Sequence, residues 1–150
     1  MSLKERIDND LKTALLGGDR FRGEVLRGLK AVILSEEVAK NKRDEGLSDE
    51  TIEQLVAREI KKRNESATIY DGANRSDLSD NERAEAKVLA DYLPAQLSEA
   101  EILAVVEKTI SSMGVSGPSA MGQVIGAVKK ELGNSADGAL IAQLVKKALQ

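Results

Sequence analysis

Glu59 and Arg63 stand four residues apart on a stretch whose apolar positions, Ile52, Leu55, Val56 and Ile60, recur at helical spacing. At about 100° per residue both fall within about 20° of the Ile52 direction, so an acid and a guanidinium share the apolar stripe. Glu85 stands similarly with Val88, Leu89 and Tyr92. A pair of carboxylates in such a place suits general acid and base work. The reading preferred here is structural: Arg63 clamps two helices and Glu85 or Glu59 compensates its charge, because core-facing charges persist by pairing.

Other reactive constellations are missing. The chain has no Cys and no His, which removes thiolate nucleophiles, disulfides and zinc sites of the usual kind. Its serines occupy caps or glycine-rich turns with no base beside them, and no acidic spacing assembles a metal site. The run GVSGPSAMG resembles a phosphate cradle in composition, but it has neither the lysine nor the preceding strand of a P-loop. No metal, cofactor or catalytic residue is expected.

Cations do cluster, at Lys40, Lys42 and Arg43, at Lys61, Lys62 and Arg63, and at Lys129, Lys130, Lys146 and Lys147. The two C-terminal lysine pairs suit the negative ends of helices. The same cations would also suit phosphate. Both readings stay open on the residues alone, with the helix-end account preferred.

The elements that must position these groups are all helical. Ser2 and Glu5 form a capping box ahead of Leu3, Ile7, Leu11 and Leu15, and Gly17-Gly18 stops that helix. Asp19 caps a second helix with Val25, Leu29, Val32 and Ile33, running to about Lys40. Ser48 opens a third that carries Ile52 through Tyr70 and frays near Gly72. Ser79 and Glu82 read as a second capping box for a fourth, whose face includes Val88, Leu89 and Tyr92 and which Pro94 must end.

Ser98 and Glu101 then cap a fifth helix that stops at Gly114, and Pro118 sits where a first helical turn accepts it. A sixth runs to about Leu132, and a seventh is capped by Asp137 or Ser135. No alternating strand pattern appears. The expected fold is therefore all-α: an N-terminal domain of about four helices over residues 1–94, then a small three-helix domain over 95–150. YLPAQLS, residues 92–98, is the joint, with Tyr92 and Leu93 expected to pack the two parts together.

Charge differs between the parts. Before Pro94 lie 17 Lys/Arg and 20 Asp/Glu; after it lie 5 and 5, completing the 22 and 25 of the chain. A net charge of -3 argues against nucleic-acid binding through bulk charge and leaves local patches. Only 2% of residues are aromatic, so the cores must be aliphatic. The longest apolar runs are too short to span a bilayer, and a cytosolic location is expected.

Taken together, Leu26-Arg27, Arg63-x-x-Ser66, Tyr70 with Arg75, Asp77 and Leu78, Glu82-x-x-Glu85, Tyr92-Leu93-Pro94-x-Gln96-Leu97-Ser98, Met121-Gly122-x-Val124 and Ala136-Asp137-Gly138 resemble the YqeY family, also called GatB/YqeY. The match runs in order over nearly the whole chain. In that resemblance Arg27, Arg63, Tyr70, Arg75, Glu82, Glu85, Tyr92, Pro94, Met121, Gly122, Asp137 and Gly138 are motif positions with structural roles.

The resemblance implies that the C-terminal part is similar to the tail domain of the aspartyl/glutamyl-tRNA amidotransferase B subunit, which grips tRNA. The expected function is thus a non-catalytic module associated with tRNA or with amidotransferase or aminoacyl-tRNA machinery. Lys129, Lys130, Lys146 and Lys147 are its candidate RNA contacts. A label of carbon-nitrogen ligase with glutamine as amide donor would be inherited by domain similarity, since no residue here resembles the catalytic parts. Gly126 stands where the related tail has a lysine, which weakens detailed transfer of an RNA surface. The alternative is a protein-interaction adaptor that binds no RNA.

Overall fold

The computed structural model describes all residues 1–150 and contains seven α-helices and no strand. They are α1 (Leu3–Leu16), α2 (Arg20–Ala39), α3 (Asp49–Gly72), α4 (Ser76–Ala90), α5 (Glu99–Met113), α6 (Met121–Leu132) and α7 (Gly138–Ala148). The chain divides into two compact units, Met1–Leu93 and Pro94–Gln150, each with its own aliphatic core.

In the first unit Ser2 and Glu5 make both halves of a capping box, Asp19 accepts from the Arg22 N–H, and Ser48 accepts from Thr51. Each bond satisfies a backbone donor left free in a first helical turn. Ile7 and Leu11 of α1, Leu26 and Leu29 of α2, Ile52 and Val56 of α3, and Leu89 after them meet in the core. Leu15 does not follow the stripe inward. It is half-exposed and Ala14 is buried in its place, because an i+4 repeat drifts around a helix of 3.6 residues per turn. α3 spans about 36 Å at 1.5 Å per residue and forms a long hairpin with α4.

Two expected boundaries are corrected. α4 starts at Ser76 rather than after Ser79: Asn74 turns the chain in the left-handed region (φ 57°), and Asp77 lies in the first turn, where the helix end favours an anion. Ser79 is therefore an interior residue, fully buried, and its hydroxyl donates to the Ser76 carbonyl at 3.2 Å. At the other end α4 stops at Ala90, so Tyr92 is not on the helix. The N–H groups of Asp91, Tyr92 and Leu93 donate to the carbonyls of Val88, Leu89 and Ala90 in a tightened last turn, because Pro94 disfavours a helical Leu93. Tyr92 and Leu93 both pack in the core of the first unit.

In the second unit Ser98 and Glu101 form a capping box for α5, which ends at Gly114 in the left-handed region (φ 64°). A single 3-10 turn, Pro118–Ala120, leads into α6 with the proline at its first position, where no N–H is needed. Asp137, not Ser135, caps α7 by accepting from the Leu140 N–H. Ile102, Val106, Val124, Val128, Ile141 and Val145 fill the centre. The segment leading into α5 is braced as well: Leu97 N–H donates to the Ser135 carbonyl at 2.8 Å, and Gln96 Nε2 donates to the carbonyls of Pro94 and Asn134, each at 2.9 Å.

Candidate nucleic-acid interface and the charged clusters

Arg63 lies between two carboxylates, one from each arm of the α3–α4 hairpin. Its Nη1 is 3.3 Å from Glu59 Oε1 and also donates to the Glu59 carbonyl, while its Nε lies 3.6 Å from Glu85 Oε2. That last distance is too long for a hydrogen bond, so the enclosed Nε–H has charge compensation but no acceptor. Glu59 is buried and takes Lys62 as a second partner at 3.1 Å. Burial pushes the Glu85 carboxyl up from its ordinary value; Arg63 pulls it down, and Glu82 and Glu24 push it up further. The arrangement can hold two helices together. It brings no nucleophile to the carboxylates, and no group of three Asp or Glu side chains is placed to hold a metal ion.

Among the other motif positions of the first unit, Arg75 and Asp77 end in a local bond. Arg75 chelates Asp77 with Nε and Nη2 at 3.2 and 3.1 Å, and that hydrogen bond holds the Asp77 carboxyl below its ordinary value. Tyr70 and Glu82 are half-buried and Arg27 is exposed. Arg83 bonds Asp71 across the hairpin end, and the same bond lowers the Asp71 carboxyl.

Tyr92 is the most connected. Its ring is 2% exposed, its hydroxyl donates to Asp10 Oδ2 at 2.6 Å, and Arg22 Nη2 donates to the hydroxyl oxygen at 3.1 Å. Arg22 also pairs with Asp91 at 3.3 Å, and the Arg6 guanidinium stacks 4.8 Å above the ring centroid. Sequence reading singled out Tyr92 but not Arg6, Asp10, Arg22 or Asp91. The one available signal was that a buried tyrosine needs a hydrogen-bond partner for its hydroxyl. The motif residue Gln96 ties the segment after Pro94 to Asn134 within the second unit.

The second unit is electrostatically different. The ion pairs tie down ten of the seventeen cations of the first unit, Lys4, Arg6, Arg22, Lys30, Lys40, Lys42, Lys62, Arg63, Arg75 and Arg83, and none of the second. Lys108, Lys129, Lys130, Lys146 and Lys147 enter no salt bridge, and all five are exposed.

The four candidate contacts come from two helices. Lys129 and Lys130 end α6, and Lys146 and Lys147 end α7. A Cβ on Gly138 would lie 3.2 Å from Lys129 Cε and 3.3 Å from its Nζ, so the bare glycine lets that side chain lie across the first turn of α7. Lys146 is eight residues further along the same helix, about 12 Å at 1.5 Å per residue. Lys129 thus sits by the start of α7 and the second pair at its end. Met121 is half-buried against the core, while Gly122 is exposed with open space around it.

No helix is long and apolar enough to cross a membrane. Among curated proteins the chain is 33% identical over 116 residues to "Altered inheritance of mitochondria protein 41, mitochondrial" of Lachancea thermotolerans, covering 75% of this chain and 60% of that protein. It is 29% identical over 125 residues to the protein of the same name from Kluyveromyces lactis, covering 81% and 66% respectively. It therefore spans about two thirds or less of the length of these relatives. The family described as Yqey-like protein matches residues 4–149, and the chain belongs to that family.

Proposed function

We propose that the chain is a non-catalytic helical module that binds tRNA through its second unit, alone or together with tRNA-amidating machinery. The supporting observation is the contrast in cation use: ten of the seventeen arginines and lysines of the first unit are tied to carboxylates, whereas none of the five lysines of the second unit, those at the ends of α6 and α7 included, enters a salt bridge. An exposed ammonium with no internal partner keeps its full charge for a phosphate, and each phosphate neutralised releases condensed counterions. The module acts as a grip and performs no chemistry of its own, so an amide-transferring activity would belong to a partner.

The test is tRNA binding by the whole chain at low salt, with and without reversal of Lys129, Lys130, Lys146 and Lys147 to Glu. Binding that weakens with salt and is lost on reversal supports the module. Absence of binding at low salt removes it, and a protein partner retained by the reversed chain in a pull-down would favour the adaptor instead.

A further inference from the structure

A cleft of about 290 Å³ opens between α1 and α2, at the low end of small-molecule site volumes. Its walls carry the apolar side chains Ile7, Ile33 and Leu34, and its rim carries Lys4, Asp8, Lys30 and Glu37. The two helices meet closely nearer their hairpin turn, where a Cβ on Gly23 would lie 3.0 Å from Leu15 Cδ2; the cleft lies farther from that turn. Two ion pairs cross it with opposite polarity. Lys4 of α1 reaches Glu37 of α2 at 2.8 Å, and Lys30 of α2 reaches Asp8 of α1 at 2.8 Å.

The two ends differ in what they offer a ligand. The Glu37 side chain is 2% exposed, held by both its oxygens to Lys4, and a Cβ on Gly46 would lie 3.6 Å from its Oε2. Asp8 and Lys30 are 33% and 44% exposed. Asp8 Oδ1 is nevertheless enclosed, and the short approach of Lys30 lacks hydrogen-bond direction, so that oxygen accepts no hydrogen bond. Lys30 compensates its charge, so this oxygen is open to another donor only when that ion pair opens.

The rim has no net charge, so an anion would meet two carboxylates and a cation two ammonium groups. A ligand carrying one charge of each sign beside an apolar body matches the rim and the walls together. We propose that this cleft binds a free aliphatic α-amino acid as its zwitterion. The carboxylate accepts from Lys30 and Lys4, the ammonium donates to Asp8 Oδ1, and the side chain rests on Ile7, Ile33 and Leu34. A half-exposed ion pair such as Asp8–Lys30 contributes little stability, so opening it to admit both ligand charges costs little. This site belongs to the first unit and does not depend on RNA binding by the second.

The experiment is a titration of the full chain, followed by methyl NMR shifts of Ile7, Ile33 and Leu34 and by calorimetry. The probes are L-leucine, 4-methylpentanoate (the carboxylate alone), 3-methylbutylamine (the ammonium alone) and glycine (the zwitterion alone). Leucine is expected to saturate those shifts in the millimolar range, with each of the other three at least tenfold weaker. Asp8→Asn and Lys30→Met should each weaken leucine binding about tenfold while helix content is retained. No saturable shift with leucine up to about 10 mM overturns the proposal, as does equal binding of the carboxylate or the amine alone. The probe series on the unaltered chain decides the matter even if a variant fails to fold.

Discussion

The hydroxyl of Tyr92 donates to Asp10 Oδ2 at 2.6 Å, joining the first helix to a residue 82 positions later, just past the end of α4. The bond closes the first unit where the chain leaves it. A tyrosine buried to 2% must have its hydroxyl satisfied, and Asp10 and Arg22 do so from two helices.

Tyr92→Phe keeps the ring and removes the hydroxyl, leaving Asp10 without its shortest donor. A loss of about 1 to 2 kcal/mol is expected by urea unfolding. Tyr92→Ala also empties the ring's place and should cost about 3 to 5 kcal/mol.

The same phenol is pushed up to about 12 by burial first and by its bond to Asp10, against the lowering effect of Arg22. Its folded value lies above the ordinary 10.0, so its stabilising contribution is complete below pH 10 and is lost as the pH rises toward 12. Tyr70→Phe leaves Tyr92 as the only tyrosine. Phenolate absorbance of that variant should then rise near pH 12; a midpoint near 10 would contradict the buried, hydrogen-bonded ring.

Arg63→Met should destabilise the first unit by about 3 kcal/mol, because buried Glu59 keeps only the exposed Lys62 and Glu85 loses its one cation. Adding Glu59→Gln should restore part of that loss. If the single variant unfolds like the parent, the clamp carries no stability. Glu85 adds a pH signature: its carboxyl is raised in the folded state, so the folded chain holds the extra proton and stability falls as the pH rises from about 4.5 through that raised value.

Gly28 and Gly126 sit inside helices with no atom within 4 Å of the position a Cβ would take. Alanine at either should stabilise its own unit by about 0.5 to 1 kcal/mol. Gly114 also has open space, but its φ of 64° is left-handed, so Gly114→Ala should cost about 1 to 2 kcal/mol. Thermal melts of the three variants separate backbone conformation from packing.

If tRNA binds, the lysine pairs that end α6 and α7 should act separately. Reversing Lys129 with Lys130, or Lys146 with Lys147, should each reduce the salt dependence by about two phosphate contacts, and together by about four. Sites about 12 Å apart with no shared partner contribute additively. A loss from one pair alone would confine the contact to the end of one helix.

Much of the fold is local, and the sequence by itself determined it. Ser2, Asp19, Ser48, Ser98 and Gly114 mark helix ends because a cap is a bond between neighbours along the chain, whereas the choice of Asp137 over Ser135 came from the structure. Where two local signals competed the reading failed: Ser79 and Glu82 look like a capping box, yet Asn74 had already turned the chain and Ser79 was taken into the hairpin. Placement of Arg63 on an apolar stripe was legible from periodicity, but its distances to Glu59 and Glu85 were not.

Tertiary structure alone decided which side chains meet across long separations. Tyr92 finds Asp10, Lys4 finds Glu37 and Asp8 finds Lys30, separations that no spacing rule encodes. It also placed Lys129 at the opposite end of α7 from Lys146 and Lys147, because a short turn returns the chain after α6 and sets Gly138 against Lys129. Helical periodicity states which face of a helix is apolar; only packing states which other helix that face will meet.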